Sequence, residues 1–313
     1  MHRSFVKRFL LMLVPLTALI AVVVYSLHHY LVIKERTTLA AEEANGLSLG
    51  TVAITKELKA ITSDLLIIAQ HSEFSEVRQR LNPDAVRHLQ QDFLLLVSNK
   101  RLYDQARFID KTGMEIARVN FNNGLPVAVP KEVLQDKSQR YYFREALALN
   151  KGEIYFSPLD LNIEQGKIEK PFKPMIRLAT PVFNKEGHKR GVVILNYFGA
   201  KLIEQFETEA TGNFGDAMIL NSNGYWLNAP NPGLEWGFML DHGKAFAKSF
   251  PETWERIKKA DKGQFRDQNG LFTFETVYPL LEGFKSSTET NAAFAQSMGK
   301  VEGRAYFWKI VSQ

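Results

Sequence analysis

The chain has 313 residues, 45% of them hydrophobic, which is enough for two domains with cores of their own. The net charge is only +5 and the basic residues are scattered, so we expect no nucleic-acid surface, which would need them concentrated on one face. Cysteine is absent, which excludes a disulfide framework and thiolate chemistry.

The N-terminal segment is typical of a membrane anchor. Phe9–Leu27 contains 19 residues without a charge, and a helix of that length spans roughly 28 Å, about one bilayer core. Arg3, Lys7 and Arg8 precede it, so the positive-inside rule leaves the N-terminus cytoplasmic and residues 31–313 outside the membrane. A cleaved signal peptide is the alternative, but its hydrophobic region would be unusually long. Residues 1–30 are therefore predicted to form a cytoplasmic tip and a transmembrane helix.

Helical periodicity continues from Val32 to about Gln70, within a predicted helical stalk region at 31–99. The apolar stripe of this helix predicts weak homodimerisation, and the alternative is that intramolecular packing covers the whole stripe. Asn82 and Pro83 then predict an N-cap and the first residue of a helix that ends near Ser98. The stripe consists of Leu39, Leu47, Ile54, Leu58, Ile61, Leu65 and Ile68.

The remainder of the chain contains a degenerate internal duplication. Two segments, 108–114 and 219–225, each predict a strand, an Asp- or Asn-x-x-Gly turn and a second strand. Ser249-Phe-Pro-Glu252 predicts a capping-box helix start in the second repeat. The pattern predicts two α+β units, at 100–205 and 206–313, each an antiparallel sheet flanked by helices. A polar loop is predicted between Leu280 and Val301, and a last strand at Tyr306–Val311.

Polar residues interrupt the predicted strands of the first unit, after a short helix predicted at Ser138 to about Leu149. Alternation over Glu153–Leu159 places Tyr155 and Ser157 on one face, and Arg177 and Asn196 interrupt two very apolar runs. These side chains predict a lined pocket; the alternative is the ordinary solvent face of a half-exposed sheet.

The order of motifs in this region resembles the double Cache family, the PAS-like extracytoplasmic domains of bacterial signalling receptors. The resemblance rests on R-Y-Y-F at Arg140–Phe143, S-P-L-D-L-N at Ser157–Asn162, E-K-P at Glu169–Pro171, P-M-I-R-L-A-T-P at Pro174–Pro181, G-V-V-I-L-N-Y at Gly191–Tyr197 and the hairpin at Asp104–Arg118. It covers roughly residues 35–313, strongly in the first unit and weakly in the second. It implies a membrane-distal unit at 100–205, a membrane-proximal unit at 206–313, and a second membrane helix beyond the last strand, so we expect the chain to be a fragment or a truncated form.

The resemblance also implies a function: a periplasmic sensing region in the bacterial cytoplasmic membrane, which passes a signal to a kinase, cyclase or chemoreceptor domain beyond Gln313. The alternative is a structural or protein-interaction ectodomain without a small-molecule ligand. Catalysis, a metal and a cofactor are not expected, because the sequence lacks H-E-x-x-H, G-x-S-x-G, P-loop and Rossmann patterns.

The expected ligand is a small anion, in particular a carboxylate, bound in the membrane-distal unit. Arg140 is expected in the first turn of its helix, where a cation opposes the helix dipole, and Arg177 lies mid-strand, where a buried charge needs a partner. A guanidinium fork matches a carboxylate with two parallel hydrogen bonds. Internal neutralisation of the arginines by Asp160 or Glu169 is the alternative. The predicted ligand-binding residues are Arg140, Tyr142, Tyr155, Ser157, Asp160, Arg177 and Asn196.

Overall fold

The computed structural model describes residues 2–70, 82–122, 124–164, 166–210, 216–280 and 306–313. The long N-terminal helix α1 runs without a break from His2 to Gln70. Its first part is long and apolar enough to cross a membrane by length and composition, and the large apolar side chains described there, from Phe9 and Leu11 onward, are exposed. The predicted polar loop between Leu280 and Val301 lies almost wholly outside the described residues.

The remaining helices are much shorter than α1. As Asn82 and Pro83 predict, α2 begins at Pro83, and the Asn82 side chain accepts a hydrogen bond from the Ala85 amide at 2.7 Å. The helix continues two residues beyond the predicted end. The helices after α1 are α2 (Pro83–Lys100), α3 (Tyr141–Ala148), α4 (Gly199–Glu209), α5 (Phe246–Ser249) and α6 (Pro251–Ile257).

The first sheet has the strand order β3-β2-β1-β9-β8-β4, with β5 also paired to β8, and all of its pairs are antiparallel. A separate short hairpin, β6 with β7, follows β5. The strands are β1 (Tyr103–Asp110), β2 (Glu115–Asn122), β3 (Leu125–Ala128), β4 (Tyr155–Phe156), β5 (Asp160–Leu161), β6 (Ile163–Glu164), β7 (Lys167–Ile168), β8 (Pro174–Phe183) and β9 (Lys189–Phe198).

The second sheet repeats this order as β11-β10-β14-β13-β12. In both sheets the last long strand lies in the middle, between the first strand of the hairpin and the strand that precedes it in the chain. The predicted final strand, Tyr306–Val311, is β14, displaced by one to two residues. The strands are β10 (Ala217–Asn221), β11 (Trp226–Asn228), β12 (Lys262–Asp267), β13 (Gly270–Val277) and β14 (Trp308–Ser312).

The two hairpin turns explain why the duplication is visible in the sequence. Gly113 and Gly224 have φ of 98° and 74°, the left-handed region that glycine adopts without strain. The side chains of Asp110 and Asn221 accept backbone hydrogen bonds within each turn. The two turns thus use the same chemistry. The predicted unit boundary between residues 205 and 206 falls inside α4, and it stays a prediction.

Helix α1 packs along both sheets and against α4. Six of the seven residues of the predicted stripe are buried, and Leu39 is half-buried. Gly50 permits the approach to α4, because a Cβ there would lie 2.7 Å from Ala210 Cβ and 2.9 Å from the Phe206 ring. Intramolecular packing therefore covers most of the stripe.

Two local expectations were wrong. Helix α3 begins at Tyr141 rather than Ser138, because the Ser138 amide is held by the Asp136 carboxylate at 2.7 Å and Arg140 closes a turn onto Lys137. Ser249 is the last residue of α5 and does not cap the next helix. The helix α6 starts at Pro251 after Phe250, without a side-chain cap.

Candidate functional site

A cavity of roughly 400 Å³ lies on the face of the first sheet that points away from α1. Alternate residues of β9 show the two faces: Val193, Leu195 and Tyr197 pack with α1 and α2, whereas Asn196 lines the cavity. The cavity is lined by Asp104, Gln105, Arg107, Arg118, Asn120, Gln135, Lys137, Arg140, Tyr141, Tyr142, Asp160, Leu161, Asn162, Ile163, Glu164, Glu169, Lys173, Arg177 and Asn196.

A row of polar residues crosses four strands at the floor of this cavity. In the sheet register, Asn120 lies opposite Gln105, Gln105 opposite Asn196, and Asn196 opposite Arg177. Among the described residues, the buried Oδ1 atoms of Asn120 and Asn196 have no hydrogen-bond partner. Because buried polar atoms are normally paired, these two amide oxygens are available to a bound molecule or to water.

Next to this row, Arg107 on β1 lies opposite Arg118 on β2. The buried Glu115 carboxylate is 2.8 Å from Arg118 Nη1 and 3.5 Å from Arg107 Nη1, and it also accepts a hydrogen bond from the Gln135 amide at 3.1 Å. Arg107 also hydrogen-bonds to Gln105. One buried carboxylate thus lies between two buried guanidinium groups.

The opposite wall is a chain of paired groups. Arg177 donates to Asp160 at 2.9 Å and to Asn162 at 3.0 Å. The Asn162 amide donates to Glu169 at 2.7 Å, and Lys173 Nζ lies 2.6 Å from Asp104 Oδ1. The alternative that the sequence left open, internal neutralisation of an arginine by Asp160, is therefore what the structure has for Arg177.

The pKa values of two cavity residues differ from their ordinary values, in directions that follow from burial and from the charges around them. Burial lowers the pKa of Lys137, and Arg107, Arg140 and Arg118 lower it further, while Glu115 opposes them. Burial raises the pKa of Asp160, against the opposing effect of Arg177. Glu115 therefore offsets only part of the repulsion between Lys137 and the three arginines.

Five of the seven predicted site residues come together in the cavity: Arg140, Tyr142, Asp160, Arg177 and Asn196. Arg140 is exposed and occupies the N-cap position, so it stands before the first turn of α3 rather than in it. The Tyr142 hydroxyl lies 3.4 Å from Arg107 Nη1.

The other two predicted residues, Tyr155 and Ser157, do not line the cavity. The strand expected over Glu153–Leu159 is shorter, Tyr155–Phe156, because Ser157 Oγ accepts the Arg177 amide hydrogen bond at 2.8 Å in place of a backbone carbonyl. Tyr155 packs on the apolar cluster around α3. Tyr155 lies on the sheet face opposite Ile154 and Phe156, as the alternation predicts, and Ser157 lies just beyond the end of β4. A ligand-binding role for Tyr155 or Ser157 stays a prediction.

The structure adds residues that the sequence reasoning did not select, chiefly Arg107, Arg118, Gln105, Asn120 and Lys137. A signal for four of them exists in the sequence. Gln105 and Arg107, and likewise Arg118 and Asn120, alternate with apolar residues in hairpin strands, as one polar face of a sheet requires. Lys137 lies in an irregular segment, where no periodicity marks it.

Comparison with known proteins now places this geometry in a family. The family model for the sensor domain of bacterial histidine kinases matches residues 53–283, which include every residue of the cavity. The chain belongs to this family of bacterial histidine kinase sensor domains. No curated protein matches the sequence significantly.

Solved structures of signalling receptors share the fold of this sensor domain. The extracellular domain of vpHK1S-Z8, described as a histidine kinase, is 17% identical with a TM-score of 0.66, over 88% of this chain and 92% of the other. A domain of a sensory box/GGDEF family protein from Vibrio parahaemolyticus is also 17% identical with a TM-score of 0.66, over 88% and 96%. The sensory domain of the Campylobacter jejuni chemoreceptor Tlp3 with isoleucine bound is 11% identical with a TM-score of 0.56, over 88% and 93%. The expected Cache-type fold, an apolar N-terminal helix followed by antiparallel sheets, is confirmed.

Proposed function

We propose that this sensor domain detects a small anionic ligand, in particular a carboxylate, in the cavity of its first unit. The observation that carries the proposal is the polar row Asn120, Gln105, Asn196 and Arg177 at the floor of a cavity large enough for a small metabolite. The predicted residues that would contact the ligand are Arg140, Tyr142, Asp160, Arg177 and Asn196. Ser157, which accepts a hydrogen bond from the Arg177 amide, and Tyr155, which packs on the cluster around α3, would help to position them. The amino-acid ligand of the Tlp3 domain is consistent with a carboxylate ligand here.

The test is a thermal-shift screen of the chain, purified in mild detergent, against organic acids and amino acids. A ligand at 100 times its dissociation constant is expected to add about 2.7 kcal/mol to the free energy of unfolding. The double substitution Arg177→Ala/Asp160→Ala is expected to abolish the shift. It removes both partners of the ion pair, so it leaves no unpaired buried charge that would unfold the unit for another reason.

Arg144→Ala is the matched control, because Arg144 is exposed on α3 and does not line the cavity. It should bind the ligand as the parent does. If a ligand is found and the double variant also binds it as the parent does, the proposed site is wrong. If no compound in a broad screen shifts the unfolding temperature, the alternative of a structural or protein-interaction ectodomain is favoured, as the internal Arg177–Asp160 pair also allows.

We also propose that the N-terminus is cytoplasmic, that α1 crosses the cytoplasmic membrane through Phe9–Leu27, and that residues 31–313 lie outside. The exposed apolar side chains of α1 and the basic residues before them support this orientation. The signal would pass to a cytoplasmic output domain beyond Gln313. A cysteine introduced at Ser222 should react with a membrane-impermeant maleimide in intact spheroplasts, and labelling only after lysis would exclude this orientation.

Homodimerisation through α1 remains a proposal as well. Leu49 and Val52 are 49% and 60% exposed on the side of α1 away from the packed stripe, so a partner copy could bury them. Sedimentation equilibrium in detergent should show a concentration-dependent dimer that Leu49→Glu/Val52→Glu weakens. A parent chain that stays monomeric at the highest concentration would exclude it.

A further inference from the structure

Positive charge is concentrated at one end of the cavity. Arg107, Arg118, Lys137 and Arg140 line that end, and among the described residues the carboxylate within ion-pair distance of the two buried arginines is that of Glu115. We call this group of four side chains the cationic end; its four positive charges face the single negative charge of Glu115.

The two buried arginines of the cationic end also retain unused donors. Arg107 is 5% exposed and Arg118 is 7% exposed, and among the described residues their Nε atoms have no hydrogen-bond partner. Arg118 Nη2 has only a long contact of 3.5 Å to the Val133 carbonyl. A buried guanidinium with an unpaired N–H is costly, so these donors point to an acceptor that binds from the cavity.

In the described part of the chain, the other end of the cavity has neither an excess of positive charge nor cations that lack a close ion-pair partner. Arg177 is paired with Asp160, and Lys173 with Asp104. Glu169 lies 3.7 Å from Lys173, and Glu164 is exposed at the rim. Negative charge is thus in slight excess at this end, which repels an anion and orients it toward Arg107 and Arg118.

We infer that the cationic end is the anion seat, and that it takes a dianionic head group, a dicarboxylate or a phosphate monoester, rather than a single carboxylate. The inference rests on the proposed function and names its ligand class. It adds an anion seat at Arg107, Arg118, Lys137 and Arg140 to the contacts that Arg177 and Asp160 would make with the rest of the ligand.

The charge balance favours two negative charges over one. A single carboxylate can satisfy one guanidinium fork but leaves the remaining cations of this end in mutual repulsion. A second carboxylate, or the second charge of a phosphate monoester, neutralises a further pair. The opposing strand positions of Arg107 and Arg118 place two guanidinium groups side by side for such a head group.

Isothermal titration of the detergent-solubilised chain with matched probes tests the inference. Succinate and its monoamide succinamate differ by one charge at the same length, and glycerol 3-phosphate and its methyl phosphodiester are the corresponding pair for a phosphate monoester. At least one dianion is expected to bind roughly tenfold or more tightly than its partner. Which pair shows the difference distinguishes a dicarboxylate seat from a phosphate seat.

The variant Lys137→Gln/Arg140→Gln should weaken dianion binding by roughly tenfold or more, with less effect on the monoanion. Both residues are at least partly exposed, so the substitutions should leave the fold intact. Lys111→Gln/Lys131→Gln is the matched control, because these exposed lysines do not line the cavity, and it should bind as the parent does.

The outcomes separate this inference from the proposed function. Equal affinity for succinate and succinamate, with no binding of glycerol 3-phosphate, would overturn the dianion class. Binding of an amino acid that depends on Arg177 and Asp160 but not on Lys137 and Arg140 would overturn the anion seat and leave the proposed function standing. Dianion binding that the control variant weakens as much as Lys137→Gln/Arg140→Gln would show general charge attraction and would also overturn it.

Discussion

Replacing Glu115 with glutamine is expected to destabilise the first unit by about 3–5 kcal/mol, since it leaves buried charges without their counterion. The Glu115 residue is 2% exposed, and its carboxylate lies 2.8 Å from Arg118 Nη1 and 3.5 Å from Arg107 Nη1. Glutamine keeps the size of the side chain but removes the negative charge, so the two guanidinium groups would repel one another in a buried setting.

Urea unfolding followed by circular dichroism measures this effect as a lower midpoint. Glu132→Gln is the control, because Glu132 is exposed on the segment next to the cavity, and its substitution should leave the free energy of unfolding within about 0.5 kcal/mol of the parent value. A Glu115→Gln protein as stable as its parent would contradict the assigned role of this carboxylate. A saturating dianion should restore part of the loss, because it replaces the missing negative charge.

Tyr306→Phe is the second substitution with a large expected effect, because it removes the acceptor of two hydrogen bonds, one from the first unit and one from within the second. Tyr306 Oη accepts the Leu159 amide at 3.0 Å and the Trp308 indole N–H at 2.8 Å. Leu159 and Trp308 are both buried, so each donor left without a partner costs about 1–3 kcal/mol.

The position of this hydroxyl gives the substitution a functional readout as well. Leu159 immediately precedes Asp160 in the cavity wall, and Trp308 begins β14, the central strand of the second sheet. Tyr306→Phe should lower the unfolding midpoint and speed hydrogen exchange at the Leu159 amide. Tyr225→Phe, whose hydroxyl has no hydrogen bond within the described residues, should do neither. Unchanged exchange at Leu159 would show that Tyr306 does not connect the cavity wall to β14.

The local chemistry of the chain predicted much of the fold. The turns at Gly113 and Gly224, with their Asp and Asn side-chain acceptors, are fully encoded in short segments and were recognised as a duplication. The stripe of α1 likewise follows from helical periodicity alone. Ser249 does not cap a helix, because the helix starts two residues later at Pro251, a residue that favours the first helical position.

The sequence predicts the site less completely than the fold, because the site depends on the register between strands that are distant in the sequence. Asn196 and Arg177 were selected as exceptions in apolar runs, and the sheet brings them opposite one another. Arg107 and Arg118 were not selected, because a polar residue in a hairpin strand is ordinary until the pairing shows that both face a cavity. Ser157 was selected from alternation, but its hydroxyl replaces a backbone acceptor, which no local pattern reveals.

Hydrogen–deuterium exchange with and without the ligand found by the screen is the most direct test of ligand binding in the first unit. Binding in the cavity predicts slower exchange in β1, β2, β5, β8 and the segment 131–140, which together form its wall. It also predicts a change at Leu159, next to Asp160. Saturated binding with slower exchange confined to the second sheet, residues 217–277 and 308–312, would contradict a ligand site in the first unit.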